Sequence, residues 1–386
     1  MCASSSTPRE VLILAGTRPE GVKTAPLIHR LLDDPRFTVR VADTGQQPGR
    51  VAEALAPFGL RPEVSLRPQR RTGSLAELAA ALITGIDELL AHHRPAAVVV
   101  QGDTTTALAG GTAAFWRHVP VVHLEAGLRT NDLDRPFPEE ANRAMLARIA
   151  ALHLAPTQAA RANLIGEGIR SSAIVVTGNT VVDALHDLVE RGMAQAPDWV
   201  DPARKLVVAT VHRRENWGHG VTATVDGLRR LAQACPDAQI VMVAHPNPQL
   251  SAEVTAGLAG VTNARVTPPL PYPQMVGLLR AADLVVTDSG GLQEEAATLG
   301  VPLLVTRETT ERPEALTPGR GELVGTDPER LLSAGLRHLA SGRTAVVGSP
   351  FGDGRASDRS VVALAGLLNV PARRVVQRRR TAAAVS

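Results

Sequence analysis

With 386 residues, 44% hydrophobic and 20% charged, the chain is long enough to bury two cores, and no apolar run reaches the roughly 18–20 residues that a membrane span needs. Five Phe, three Trp and one Tyr are too few for a base-stacking nucleic-acid surface, and the formal charge of +3 owes much to one run, ARRVVQRRR (372–380), read as a solvated end rather than a nucleic-acid arm. Two cysteines exclude a disulfide framework and a cysteine metal cluster, and the opening MCASSSTPRE lacks the apolar core of a signal peptide, so a cytoplasmic protein is expected.

Apolar, β-branched runs alternate with segments of helical period from end to end. VLILA (11–15) reads as a strand running into GTRPEGVK (16–23). There Gly16 permits a turn, Pro19 suits a first helical turn, and Arg18 and Lys23 set two cations about the helix N-terminus. That is either a seat for phosphate or an ordinary turn with surface cations. FTVRVAD (37–43) is the next strand and SLAELAAALITGIDELLAHH (74–93) a helix. AAVVVQ (96–101) ends in GDTTT, which puts Asp103 at a strand tip, as a helix cap or as a working acid. VPVVHL (119–124) leads to Glu125, and RPFPEEANR (135–143) brings Glu139, Glu140 and Arg143 to a helix start. Crowded, partly desolvated carboxylates raise one another's pKa, so these acids are expected to handle protons near neutral pH.

After SAIVVTG (172–178) comes a Pro- and Asp-containing link, AQAPDWVDPARK (194–205), and a second series begins. KLVVATV (205–211) delivers His212; the helix VTATVDGLRRLAQAC (221–235) follows, and AQIVMVA (238–244) precedes His245. ARVTPPL (264–270) and DLVVTD (283–288) are strands, the latter opening into Ser289-Gly290-Gly291 at the head of a helix. The last strand, VPLLVT (301–306), leads to RETTERPEAL (307–316) with Arg312. Ser289, Gly290 and Gly291 offer N–H groups and a hydroxyl to a phosphate. One turn on, Glu295 can take both hydroxyls of a ribose, while Glu294 faces elsewhere, which implies a nucleotide. G-x-G-x-x-G follows no strand, so a bound nicotinamide is not expected, and neither is any other cofactor or metal.

Continuous apolar strands alternating with helices mean parallel sheets covered on both faces. The fold class is therefore α/β, with two Rossmann-like doubly wound domains and a cleft between them. The expected division is 1–190, 191–370 with its last helix returning to the first domain, and a disordered basic tail at 371–386. Every polar cluster above lies at the carboxyl end of a strand, where open α/β sheets bind ligands.

On these residues the chain resembles the non-hydrolysing UDP-N-acetylglucosamine 2-epimerases. GTRPEGVKTAPL, QGDTTT, HLEAGLRT, PFPEEANR, TGNTVVDAL, HRREN, TDSGGLQEE, TTERPEA, LVGTD and PFGDG occur in that order between Val11 and about Leu368. The resemblance implies a GT-B-like architecture, a homodimer, and reversible inversion at C2 of UDP-GlcNAc to UDP-ManNAc through elimination of UDP and its re-addition. It implies that Asp103, Glu125 and Glu139 line the hexosamine and move protons, and that His212 and Arg143 assist the leaving diphosphate. Arg18 and Lys23 touch the substrate from the first domain. Ser289, Gly290 and Gly291 hold the diphosphate, Glu295 the ribose; Arg312 and His245 serve the nucleotide, and backbone near Leu270 and Met275 reads uracil. Where the family tends to carry His, the chain has Gln47, and Gly73 stands where Gln is expected. Activation by a second UDP-GlcNAc is therefore expected to be weak or absent, and a modified UDP-hexosamine is an alternative substrate. A hydrolysing epimerase, a GT-B glycosyltransferase and a catalytically dead UDP-sugar sensor are the other readings.

Overall fold

The structure is a computed structural model that describes residues 7–211, 217–343 and 348–370. The first sheet is built from β1 (Arg9–Ala15), β2 (Phe37–Asp43), β3 (Val64–Ser65), β4 (Ala97–Gln101), β5 (Val121–Leu124), β6 (Leu152–Ala155) and β7 (Ile174–Val176). Its helices are α1 (Arg18–Leu32), α2 (Arg50–Leu55), α3 (Leu75–His93), α4 (Thr105–Trp116), α5 (Glu139–Ile149), α6 (Gln158–Gly166) and α7 (Thr180–Glu190). The second sheet takes β8 (Leu206–Thr210), β9 (Gln239–Val243), β10 (Ala264–Thr267), β11 (Leu284–Thr287), β12 (Leu303–Val305) and β13 (Gly321–Leu323). With it go α8 (His219–Ala234), α9 (Pro248–Gly257), α10 (Tyr272–Ala281), α11 (Gly290–Leu299), α12 (Pro328–Ser341) and α13 (Ala356–Leu367).

All strand pairs are parallel, in the orders β3-β2-β1-β4-β5-β6-β7 and β10-β9-β8-β11-β12-β13. Both orders run outward from a central strand and then reverse, so each sheet has a switch point, at β1/β4 and at β8/β11. Side chains explain the layering. Along β1, Val11, Ile13 and Ala15 enter one core with α1 and α13, while Leu12 and Leu14 enter another with α3 and α4. Such two-sided burial needs the uninterrupted apolar runs read above. Val361, Leu364 and Ala365 carry α13 into the first of these cores, so the last helix among the described residues is packed on the first sheet.

Three strands are missing from the expected set and a fourth is shorter than expected. β3 and β13 are edge strands of two and three residues, too short to leave a periodic signal. β6 is LHLA, whose apolar run His153 interrupts. The expected strand at 264–270 stops at Thr267, because Pro268 and Pro269 carry no N–H for a ladder.

His153 sits in register with His123 of β5, both fully buried, rings 6.5 Å apart. His123 Nε2 donates to the Gly102 carbonyl at 2.7 Å, but Nδ1 of either ring has no hydrogen-bond partner. Burial therefore holds both neutral, pushing His123 down to about 3 and His153 to about 4. In the unfolded chain each takes a proton below about pH 6.5. Their stabilisation is thus complete above that pH and is lost as the pH falls toward 4 and 3, by up to about 1.4 kcal/mol per pH unit for each ring. Buried Glu20 and Glu295, both pushed up to about 7, act in the opposite sense, losing stability as pH rises through 7. The histidine share is read by difference. His123→Gln, which can still donate to Gly102, is expected to lose less thermal stability between pH 7.5 and pH 5 than the parent chain. Equal slopes in circular-dichroism melts would refute this.

Candidate functional site

The two sheets present their carboxyl edges to each other. At the end of β1 the hydroxyl of Thr17 caps α1 by accepting from the Glu20 amide. Glu20 Oε2 in turn accepts from the Gly16 amide at 3.0 Å and from the Thr17 hydroxyl at 2.8 Å. Its other oxygen accepts from Thr104 at 2.7 Å. This is a capping-box arrangement with the carboxyl buried. Of the two readings of GTRPEGVK this favours the ordinary turn: the Gly16 amide and the Thr17 hydroxyl serve Glu20, and the Arg18 amide donates to Gln47 Oε1 at 3.3 Å. Arg18 instead reaches across the cleft, donating through Nη2 to the Leu270 carbonyl at 2.7 Å.

The corresponding turn in the second sheet is different. Ser289 stands at the N-cap of α11 without a side-chain capping bond, and a Cβ placed on Gly291 would meet open space. Ser289 and Gly291 line a cavity of about 310 Å³ together with Arg18, Lys23, His245, Leu270, Met275 and Glu295. Eight of the residues singled out from the sequence thus share one cavity, with cations on the first-sheet side and a helix N-terminus on the other. Tyr272 lines it too, and its hydroxyl donates to Glu295 Oε1 at 2.9 Å. His245 takes the Asn247 amide on Nδ1 at 3.0 Å and packs edge-on to Trp217.

Gly290 lies behind this cavity. A Cβ there would fall 2.7 Å from the Arg312 guanidinium carbon, so the glycine is what lets Arg312 pass beneath α11. Arg312 binds three carboxylates: Nε to Glu294 at 2.7 Å, Nη1 to Glu311 at 2.5 Å and Nη2 to Glu125 at 3.1 Å. Lys23 joins the first and last of these, bonding Glu294 at 2.9 Å and Glu125 more closely still. Gln101 and Asn179 complete the set on Glu125 Oε2, at 3.0 and 3.1 Å. All of these side chains are buried. Glu294, which the sequence reading turned away from the site, is therefore the centre of an ionic clasp between the sheets.

The clasp reverses one expectation about the acids. Glu125 is desolvated, yet Lys23 and Arg312 outweigh that and hold its carboxyl below the usual range. It stands ionised, at a backbone φ of 64°, a left-handed conformation uncommon for a non-glycine residue. Asp103 has its own cation as well: Arg143 Nη1 meets Oδ2 at 2.5 Å. Arg143 is fixed from behind by Glu140, which accepts from Nε at 3.1 Å and Nη2 at 2.5 Å. The acids do not form a mutually repelling cluster; each is partnered. Glu139, half-buried, opens α5 one turn before Arg143. His212 lies outside the described residues.

Sequence reasoning missed Asn179, Tyr272, Gln101 and Glu20, and it named Glu140 without its bond to Arg143. Tyr272 had a signal, as the chain's single tyrosine set between two prolines. Thr17-x-x-Glu20 was also legible as a capping box. A lone buried amide such as Gln101 leaves no mark. Among the described residues no group of three or more His, Cys, Asp or Glu is placed to hold a metal ion, and no helix is long and apolar enough to cross a membrane.

Two parallel sheets of Rossmann order, facing each other across a cleft floored by paired charges, define an α/β protein of GT-B-like architecture. A family model for UDP-N-acetylglucosamine 2-epimerase matches residues 29–365. The chain belongs to the UDP-N-acetylglucosamine 2-epimerase family, and is an isomerase. It is 40% identical over 368 residues to the UDP-N-acetylglucosamine 2-epimerase of Escherichia coli K12, covering 92% of this chain and 98% of that one. Among solved structures it is similar to the UDP-GlcNAc 2-epimerase of Neisseria meningitidis bound to UDP-GlcNAc, with a TM-score of 0.87, 35% identity, and coverage of 92% of this chain and 100% of that one. The Methanocaldococcus jannaschii enzyme in complex with UDP-GlcNAc and UDP aligns at a TM-score of 0.82 and 31% identity, covering 92% and 99%.

Proposed function

We propose that the chain interconverts UDP-GlcNAc and UDP-ManNAc without net hydrolysis. The observation that carries this is the pairing of an open α11 N-terminus and Glu295 with the partnered acids on the opposite wall. Ser289 and Gly291, which line the cavity, take the diphosphate at the head of α11, where amide donors and the helix dipole favour an anion, and Gly290 makes room behind them for Arg312. Arg18, Lys23 and His245 add donors and charge, Leu270 and Met275 border the uracil, and Glu295 takes the ribose.

Without a neighbouring keto group, C2–H of the sugar is not acidic. The C2 proton is therefore removed as the C1–O bond to UDP breaks, the electron pair leaving on the diphosphate and 2-acetamidoglucal remaining. A proton is then delivered to the other face of C2 while UDP re-forms the bond at C1. Asp103 and Glu139 are our candidates for moving these protons, because Asp103 keeps a side chain 23% exposed and Glu139 is half-buried. Glu125, ionised and bonded by four donors, serves as fixed negative charge or as a base. Arg143, with His212 as carried over from the family, balances the charge that develops on the leaving group. A homodimer belongs to the same reading, for which Phe115 and Trp116 at the end of α4, 51% and 63% exposed, offer apolar surface.

The test is proton NMR of the purified protein with UDP-GlcNAc in heavy water. The expected result is UDP-ManNAc carrying deuterium at C2, with UDP-GlcNAc also exchanging. Free ManNAc and UDP as the main products would overturn the reading in favour of a hydrolysing epimerase.

A further inference from the structure

Two of the ordered motifs, TGNTVVDAL, which supplies Asn179 to the clasp, and PFGDG, meet beneath it. Thr177 and Gly178 leave β7, and Asn179 caps α7, its Oδ1 accepting from the Val181 amide at 3.1 Å. That bond fixes which way the side-chain amide points. Both Nδ2 protons are then directed into the clasp, one to Glu294 Oε1 at 2.9 Å and one to Glu125 Oε2 at 3.1 Å. Asn179 is 2% exposed.

PFGDG holds the cap in place. The Asn179 backbone amide donates to the Phe351 carbonyl at 2.7 Å. Gly178 and Gly352 cross so closely that a Cβ on Gly352 would stand 3.1 Å from the Gly178 Cα. Asp183, one turn along α7, accepts from the amides of Ala356 and Ser357 at 3.1 and 2.8 Å and so ties down the start of α13. Arg359 donates to the Thr177 carbonyl at 3.0 Å.

The charged groups facing the Asn179 amide are Lys23 from α1, Glu125 from the tip of β5, Glu294 from α11 and Arg312 from the loop after β12. Asp183 and Arg359 are turned to α13 and to Thr177. Two carboxylates from different sheets thus converge on one neutral side chain. An amide can give a proton to each and still cap its helix through oxygen. A carboxyl group can give at most one proton, and only when protonated.

We propose that Asn179 is a positioning residue for the epimerisation: it sets the spacing of Glu125 and Glu294 across the cleft and presents Glu125 as a charged acceptor. This rests on the UDP-sugar epimerase reading. Asn179→Asp keeps the shape and removes the two-proton donor. Its kcat for UDP-GlcNAc is expected to fall about 100-fold at neutral pH, the scale of a displaced catalytic group. UDP affinity by calorimetry stays within about threefold, since the cavity wall is untouched. Activity partly returns as the pH is lowered and the new carboxyl regains a proton to donate. Asn179→Ala, tested beside it, loses kcat equally but shows no acid recovery. A purely structural role predicts loss of UDP binding together with turnover, and that outcome overturns the proposal. So does an Asn179→Asp enzyme with parental kcat, or one whose loss is the same at every pH. A parental chain that fails to exchange C2–H sinks the epimerase reading instead, so the two failures are distinguishable.

Discussion

Replacing Arg312 with methionine is expected to cost about 3–5 kcal/mol of stability and to abolish turnover of UDP-GlcNAc. The side chain is buried and holds Glu125, Glu294 and Glu311 at once, through all three of its nitrogens. Removing one partner of a buried ionic network leaves charge without compensation, which is far more damaging than deleting the network whole. Lys23 alone would then face two of the three carboxylates. Burial already pushes Glu294 upward against the pull of both cations, so it would protonate first and let go of Lys23. Arg312→Lys is expected to do little better, because one ammonium cannot present three donors in a plane. Thermal melts and a turnover assay decide this; a stable, active Arg312→Met chain would show that the clasp is dispensable.

Asp103→Asn is the converse case, a large loss of rate with little loss of fold. The carboxylate is partly exposed at the tip of β4, and Arg143 keeps Glu140 when the charge on Asp103 goes. The bond from Asn142 to residue 103 is to its backbone carbonyl, at 2.8 Å, and survives the change. If Asp103 moves a proton at C2, kcat drops by about 10²–10⁴. KM and UDP binding are expected to change little, because Asp103 is not among the residues lining the cavity at the head of α11. A fall of less than tenfold would assign proton transfer elsewhere, with Glu139 the next to test.

The architecture was legible because buried parallel strands must be written as unbroken apolar runs, and VLILA or DLVVTD admit few other readings. LHLA was not, since a histidine that burial keeps neutral looks polar on paper. The cavity wall was also legible: Ser289, Gly291 and Glu295 stand where a strand end, a helix start and one helical turn put them. What stayed hidden was pairing at long range. Glu294 and Glu295 are neighbours, and only the fold assigns the first to Lys23 and Arg312 and the second to Tyr272. The same holds for Glu20, a helix-start acid whose partner Thr104 lies 84 residues away. Spacing rules see one element at a time, and these bonds join elements from different parts of the chain.

The clasp also limits how the gap between the sheets can open. Lys23–Glu294 and Glu125–Arg312 both cross from the first sheet to the second, near the middle of the gap. Pulling the lobes straight apart would strip four buried charges at one stroke. Swinging them about that point, as jaws about a rivet, opens the rim and leaves the charges together. Rotation about the clasp is thus the opening motion that keeps Lys23–Glu294 and Glu125–Arg312 paired.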